Sequence, residues 1–321
     1  MNKKEIQTNQ QKMIRKMKIK QRSQHTIKKY NTAFNNLNTF LETYNINTIN
    51  NETIDDIIIE YQYYLQNDTA HQKLSNNTIN QYLILIKKFL TKECKITTDE
   101  IEPLTVQKEI PKYIDIEQYQ EIQNHLEKQL LLQKTKHWQK IIKTDQTIIN
   151  LLFNTGLRIH EALKITINEI IKIKDTKEYD LYDLDVFGKG KKKRTIHIPS
   201  NTYDALMQYV QECSMPGSKY IFESIKAPGN PVTTMTIERH FKRIAKELDA
   251  INDTDADDKN SYQNLLKPHN LRHSFAVVKT AEKRMPINAL KEVLGHENIT
   301  TTQIYTKLNT KEVKKAFAKT I

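Results

Sequence analysis

Four short segments in the second half of the chain carry residues that could act on a phosphate group. They read Thr155-Gly-Leu-Arg-Ile-His-Glu161, Gly188-Lys-Gly190, His269-Asn-Leu-Arg-His273 and Leu294-Gly-His296, and a tyrosine follows them at position 305. Arginine binds phosphate oxygens through planar, bidentate hydrogen bonds. A phenol is a weak nucleophile because its pKa is about 10, so it needs cationic neighbours and a proton acceptor. These residue types suit transfer of a phosphoryl group to a protein hydroxyl.

Each segment taken alone also has a structural interpretation. Arginine after Thr-Gly-Leu could begin a surface helix, Arg272 could be structural, and Glu161 could be a surface carboxylate. Lys189 lies in a basic turn that could merely contact phosphate. His269 and His273 stand four residues apart, the spacing of metal ligands on a helix, but an arginine lies between them and the glutamate of the HExxH pattern is missing. We therefore expect no metal site.

Taken together and in this order, the segments resemble the catalytic signature of the tyrosine recombinase or phage integrase family over roughly residues 147–310. The resemblance implies that Tyr305 is the nucleophile. It also implies that Arg158 and Arg272 hold the scissile phosphate. By the same resemblance, Lys189 is the general acid that protonates the leaving 5′ oxygen.

The histidines and the acidic residue also fall on positions of that signature. His269 and His296 fill the family's two histidine positions, where they are expected to hydrogen-bond the phosphate and help to move the tyrosine proton. Glu161 follows Arg158 by one helical turn and matches a supporting acidic position. His273 is expected to pack against or orient the helix that carries the second arginine.

The implied activity is site-specific recombination by an Xer-like or mobile-element enzyme. DNA would be cut and rejoined through a 3′-phosphotyrosyl intermediate and Holliday-junction strand exchange, in integration, excision or resolution. Because the protein–DNA ester keeps the energy of the cut bond, neither ATP nor a cofactor is expected. The expected assembly is a homotetramer on synapsed double-stranded DNA sites, from monomers in free solution. Two alternatives are a type IB-like topoisomerase and a catalytically silent DNA-binding protein of integrase descent.

Composition agrees with a DNA-binding protein. The 50 lysines and arginines exceed the 38 acidic residues, which gives a formal net charge of +12, and the pI is about 9.3. Cys94 and Cys213 form no CxxC pair, which argues against a disulfide framework and suits a reducing cytoplasm. No apolar run approaches the roughly 18 residues that cross a bilayer, so we expect no membrane association.

The distribution of glycine, proline and apolar residues predicts two domains. All six glycines lie at or after Gly156, and the apolar spacing over residues 23–100 is helical. We predict a basic tail over 1–22, a helical domain over 23–100, a linker over 101–111 and a second domain with a C-terminal tail over 112–321. The helical domain loosely resembles the family's core-DNA-binding domain, and the same resemblance implies that the second domain is catalytic. Residues 165–198, including Ile165 and Ile167, read as short strands with a hairpin turn at GKGKKKR. The predicted fold class is mainly α with a small antiparallel β-sheet (α+β).

Basic residues in both predicted domains are candidate DNA contacts. The first 29 residues hold ten lysines and arginines and one glutamate. Phosphate contacts by such groups give affinity and salt sensitivity without sequence choice. The predicted DNA-binding residues are Lys28, Lys29, Lys87, Lys88, Lys191, Lys192, Lys193, Arg194, Arg239, Lys242 and Arg243.

Overall fold

A computed structural model of the chain describes residues 1–67, 74–98, 102–106, 111–173, 175–176, 179–188, 193–282 and 285–295. Contacts divide the chain into two compact units, Met1–Glu109 and Ile110–Ile321. The fold is mostly helical with one small antiparallel sheet, which confirms the predicted fold class. Among the described helices, none is long and apolar enough to cross a membrane.

The first unit is a bundle of helices. They are α1 (Lys3–Ile19), α2 (Gln24–Thr43), α3 (Ile54–Asn67) and α4 (Asn76–Phe89), which continues into a π-helical turn over Leu90–Cys94. Ser23 and Ser75 cap α2 and α4, each accepting a hydrogen bond from the backbone N–H three residues on. The core is rich in aromatic side chains, among them the edge-to-face pair of Phe34 and Phe89. Packing of these buried apolar side chains stabilises the bundle.

Residues 1–22 do not form the predicted tail, since most of them belong to α1. Ile6 and Met13 are buried in the core of the bundle. Gln10 and Asn38 exchange two amide hydrogen bonds of 3.0 and 3.1 Å, which fasten α1 to α2. Only a narrow stripe of α1 is buried, and lysines and arginines occupy much of the rest of the helix surface. In the sequence, this excess of charge hides the apolar stripe, so the helix was predicted to be a tail.

The second unit surrounds its small sheet with helices. Its elements are α5 (Ile116–Leu132), α6 (Lys136–Thr155), α7 (Ile159–Ala162), α8 (Ile167–Ile171), β1 (Asp175–Thr176), β2 (Leu181–Phe187), β3 (Lys193–Pro199), α9 (Ser200–Cys213), α10 (Thr234–Ile251), α11 (Tyr262–Leu265), α12 (Pro268–Val277), a π-helical turn over Val278–Glu282, and α13 (Ile287–Leu294).

The sheet has the order β1-β2-β3, and both pairings are antiparallel. Leu184 and Val186 pair with Ile196 and Arg194 across the β2–β3 hairpin. The hairpin was predicted, whereas Ile167 was wrongly assigned to a strand. It begins α8 instead, because Thr166 and Glu169 form a capping box that starts a helix at that point.

Gly156 ends α6 in the left-handed region, with φ of +64°. A β-carbon at this position would lie 2.5 Å from Cδ1 of Phe275, a buried residue of α12. The position therefore requires glycine both for its backbone conformation and for the close approach of α12. This turn holds the Thr155–Glu161 segment against the helix that carries Arg272.

We expect Gly156→Ala to destabilise the second unit by about 2–5 kcal/mol. A left-handed backbone conformation at alanine costs about 1–2 kcal/mol. Overpacking of the added methyl group against Phe275 costs about 1–3 kcal/mol more. Gly217→Ala is the matched control, because its φ is +81° but no atom lies within 4 Å of the added carbon. The control should show the strain alone. Denaturant unfolding of both variants measures the difference, and equal losses of stability would contradict the proposed close packing.

Candidate active site

Arg158 lies at the start of α7, where its backbone and side chain are both held by one carboxylate. The backbone N–H of Arg158 donates to Oε2 of Glu161 at 3.0 Å, and Nη1 donates to Oε1 at 3.0 Å. The Glu161 side chain is 1% exposed, whereas that of Arg158 is 32% exposed. Glu161 is therefore buried, and the alternative that it is a surface carboxylate is wrong. It fixes an arginine whose guanidinium still reaches solvent.

Arg194, on β3, also binds Glu161. Its Nη1 and Nη2 donate to the two carboxylate oxygens at 2.9 and 2.7 Å, and its Nε donates to the carbonyl oxygen of Val293 at 3.2 Å. Its side chain is only 12% exposed. The prediction that Arg194 contacts DNA is therefore corrected, because its guanidinium is engaged inside the protein by a carboxylate and a carbonyl.

Arg272 is 2% exposed and joins the ends of two helices. Its Nη1 donates to the carbonyl oxygen of Gly156 at 2.6 Å, and its Nη2 donates to that of Leu294 at 2.5 Å. Gly156 caps α6 and Leu294 ends α13, and the carboxyl end of a helix favours a positive charge. A buried cation thus ties together the two turns that precede Arg158 and His296.

His269 begins the same helix and lies near both arginines. Burial is the main cause that lowers the pKa of His269, and the positive charges of Arg272 and Arg158 lower it further. The centroid of its ring is 4.3 Å from that of His273 in an edge-to-face contact. A lowered pKa favours the neutral imidazole, the form with a ring nitrogen that is free to accept a hydrogen bond or a proton.

A cleft of about 530 Å³ opens beside Arg158 and extends along β2 to Gly188. His160 and Lys164 also line it, and burial is the main cause that lowers the pKa of His160.

The contacts described above bring five of the predicted site residues into one region of the second unit, namely Arg158, Glu161, His269, Arg272 and His273. Five other predicted residues lie outside the described residues, namely Lys189, Lys191, Lys192, His296 and Tyr305.

The remaining predicted DNA contacts differ in their accessibility. Lys28, Lys29, Lys88, Arg239 and Lys242 are exposed, and Lys87 is partly buried. Exposed Lys193 pairs with Asp185 at 2.7 Å.

Arg243, another predicted DNA contact, is only partly exposed and is engaged within the protein. It pairs with buried Asp145 at 3.3 Å and lies over the Trp138 ring at 5.4 Å. Asp145 also accepts from His240 Nδ1 at 2.8 Å, so a buried carboxylate binds two partly exposed basic side chains, a cluster that sequence reasoning missed. Its members come from α6 and α10, nearly a hundred residues apart, and no local spacing indicates their contact.

The acid stability of the fold should depend on Glu161. Burial raises its pKa, but hydrogen bonds from Arg194 and the Arg158 backbone and the two positive charges lower it to about 2, against an ordinary 4.5. The depressed pKa stabilises the folded state above about pH 4.5, and this contribution is lost as the pH falls through about 2. Its size is on the order of 3 kcal/mol.

Denaturant unfolding of the wild type and Glu161→Gln between roughly pH 6 and pH 2.5 tests this dependence. The wild type should lose more free energy of unfolding than the variant over that interval. Parallel curves would contradict the assigned pairing.

Two family models and several curated relatives match this chain. The Phage integrase family model matches residues 112–312, and the Phage integrase SAM-like domain model matches residues 9–103. Tyrosine recombinase XerC of Bacillus subtilis (strain 168) is 27% identical over 295 residues, which are 88% of this chain and 86% of the relative. XerC of Leptospira interrogans (strain Fiocruz L1-130) is 25% identical over 315 residues, 96% and 91% of the two chains.

Solved structures share the fold. The Tn1549 transposon integrase, in complex with transposon right end DNA, aligns with a TM-score of 0.67 at 18% identity, over 100% of this chain and 99% of that one. XerH site-specific recombinase bound to difH aligns with a TM-score of 0.65 at 20% identity, over 90% and 78%. Since the first family model covers more than half of the chain, the protein belongs to the phage integrase family and is a site-specific tyrosine recombinase.

Proposed function

We propose that Tyr305 cuts one DNA strand at a specific site and that the same residues later rejoin it to a new partner. The phenolic oxygen attacks the scissile phosphorus, the phosphorus–O5′ bond breaks, and a 3′-phosphotyrosyl ester forms. Lys189 gives a proton to the departing 5′ oxygen. In the second half-reaction a 5′-hydroxyl attacks the ester and releases the tyrosine, so the number of phosphodiester bonds is conserved and no ATP is consumed.

The placement of Arg158 is the observation that carries this proposal. Arg158 lines an open cleft, and its guanidinium is held by the nearly inaccessible carboxylate of Glu161, which lines the same cleft. Phosphoryl transfer develops charge on the non-bridging oxygens, which a preorganised arginine stabilises best. Arg272 supplies a second cation from the helix behind this turn.

His269 supports the proton transfer that a phenol needs. Its lowered pKa leaves a neutral nitrogen near two cations that would hold the phosphate. We propose that it takes the proton of Tyr305 directly or through the phosphate. His296, directly after Gly295, is proposed as the second histidine on the phosphate.

DNA binding is proposed for both units. The solved relatives named above include complexes with DNA. Lys28 and Lys29 on α2 and Arg239 and Lys242 on α10 are exposed cations for the phosphate backbone. We propose that four copies assemble on two synapsed sites, that each is a monomer without DNA, and that the reaction takes place in the cytoplasm.

A two-plasmid assay tests the proposed function. DNA flanking the protein's own gene supplies candidate sites, and the purified wild type is incubated with one or two copies of them in EDTA. The expected result is a joined or resolved product whose junctions lie at one sequence, together with a four-subunit complex in mass photometry. Relaxation of supercoiled DNA without exchange between sites would favour the topoisomerase alternative, and binding without cleavage would favour a silent DNA-binding protein.

A further inference from the structure

Arg194 makes three hydrogen bonds that join separate parts of the second unit. Two go to the oxygens of Glu161, at 2.9 and 2.7 Å, and the third goes to the carbonyl of Val293 at 3.2 Å. Arg194 itself pairs with Val186 across the hairpin. One guanidinium therefore connects β3, the beginning of α7 and the last turn of α13.

The neighbouring glycine shows how closely this side chain packs. Gly295 has φ of +62°, and a β-carbon there would lie 2.8 Å from Cδ of Arg194. The stem of Arg194 thus lies directly against the turn that ends α13. His296 is the next residue in the chain, so this packing fixes the starting point of the segment that leads to Tyr305.

Geometry together with charge explains why an arginine suits this position. The Glu161 carboxylate is nearly inaccessible to solvent and accepts hydrogen bonds from two arginines. Arg158 is partly exposed, and Arg194 is almost buried. Only a planar guanidinium can bind both carboxylate oxygens and a third acceptor at once. A lysine could balance the charge without reproducing this geometry.

We propose that Arg194 is a positioning residue for strand cleavage. Through Glu161 it sets the direction in which Arg158 points, and through Val293 and Gly295 it sets where the His296–Tyr305 segment begins. The β3 strand that carries it follows Lys189 in the sequence, so one side chain connects three of the four catalytic segments. This proposal rests on the proposed roles of Arg158, Lys189 and Tyr305.

Single-turnover cleavage of a nicked DNA site tests the proposal with Arg194→Lys and Arg194→Gln. Measurement at saturating protein gives the cleavage rate, and a separate titration gives the DNA dissociation constant and its salt dependence. We expect Arg194→Gln to lose about 100-fold in cleavage rate and Arg194→Lys about 10-fold. Both should bind DNA within about threefold of the wild type, with an unchanged salt slope.

Leu206→Ala is the control for lost stability. Leu206 is fully buried on α9 in the same unit and has no place in the catalytic or DNA-binding groups. All variants are assayed at a temperature well below their unfolding midpoints. The control should unfold more easily than the wild type and still cleave within about threefold of its rate.

A double variant, Glu161→Gln with Arg194→Gln, tests whether the two residues act together. If Arg194 acts through Glu161, the double variant should lose about as much cleavage rate as the more impaired single variant. If the two losses multiply, the proposed route through Glu161 is overturned.

Other results would also overturn the proposal. Weaker DNA binding with a reduced salt slope and a normal saturated rate would make Arg194 a phosphate contact. A loss of rate equal to that of Leu206→Ala at matched stability would make it purely structural. If Arg194→Gln does not fold, Arg194→Lys carries the test. A wild type that forms no adduct would instead refute the proposed function, which separates the two failures.

Discussion

A Tyr305→Phe variant is expected to bind DNA as tightly as the wild type and to form no covalent adduct with it. The substitution removes only the hydroxyl oxygen, which is the proposed attacking atom, and leaves the cationic groups that bind phosphate. The expected loss of cleavage is on the order of 10⁴-fold or more. A gel-shift titration measures binding, and a denaturing gel measures the adduct on the same nicked DNA.

Tyr179→Phe is the matched control. Tyr179 is exposed in the second unit and has no proposed role, so its variant should form the adduct at the wild-type rate. Persistence of the adduct in Tyr305→Phe would assign the nucleophile to another residue. Loss of DNA binding in the same variant would contradict the expected result, because it would show that Tyr305 contributes to binding as well as to cleavage.

Arg272→Ala is expected to destabilise the second unit by about 3–5 kcal/mol. The substitution leaves the buried carbonyls of Gly156 and Leu294 without the donors they have in the wild type, and it opens a cavity between three helices. Denaturant unfolding measures the effect. A variant as stable as the wild type would contradict the role of Arg272 in joining α6 and α13.

Arg272→Lys separates stability from chemistry. An ammonium group keeps the buried charge, so this variant should fold, but it cannot present planar donors to two carbonyls and a phosphate. Its cleavage rate should fall by about 100-fold or more at saturating DNA. Wild-type cleavage by Arg272→Lys would show that charge alone is sufficient at this position.

The sequence was most informative where residue types are unusual and their order is diagnostic. Only six glycines are present, and Gly156, Gly188, Gly190 and Gly295 mark three of the four catalytic segments. The β2–β3 hairpin was also predictable, because its strands alternate apolar residues on either side of a glycine-containing turn. These are local signals, which sequence patterns record directly.

The errors arose where tertiary contacts decide the outcome. The positive charge of residues 1–22 concealed the Ile6 and Met13 stripe that packs α1 into the bundle. Arg194 was assigned to DNA because four of its neighbours in the GKGKKKR turn are cationic. Its contact with Glu161, 33 residues away, depends on how the hairpin folds onto α7, and residue spacing alone does not encode that geometry.

The most direct measurement is to identify the residue that holds the DNA. Wild-type protein is incubated in EDTA with a nicked site that traps the cleaved strand, the adduct is digested with protease and nuclease, and the nucleotide-bearing peptide is sequenced by mass spectrometry. We predict a single modified peptide with a 3′-linked nucleotide on Tyr305. A nucleotide on any other residue, or an adduct that requires a divalent metal, would contradict the central claim.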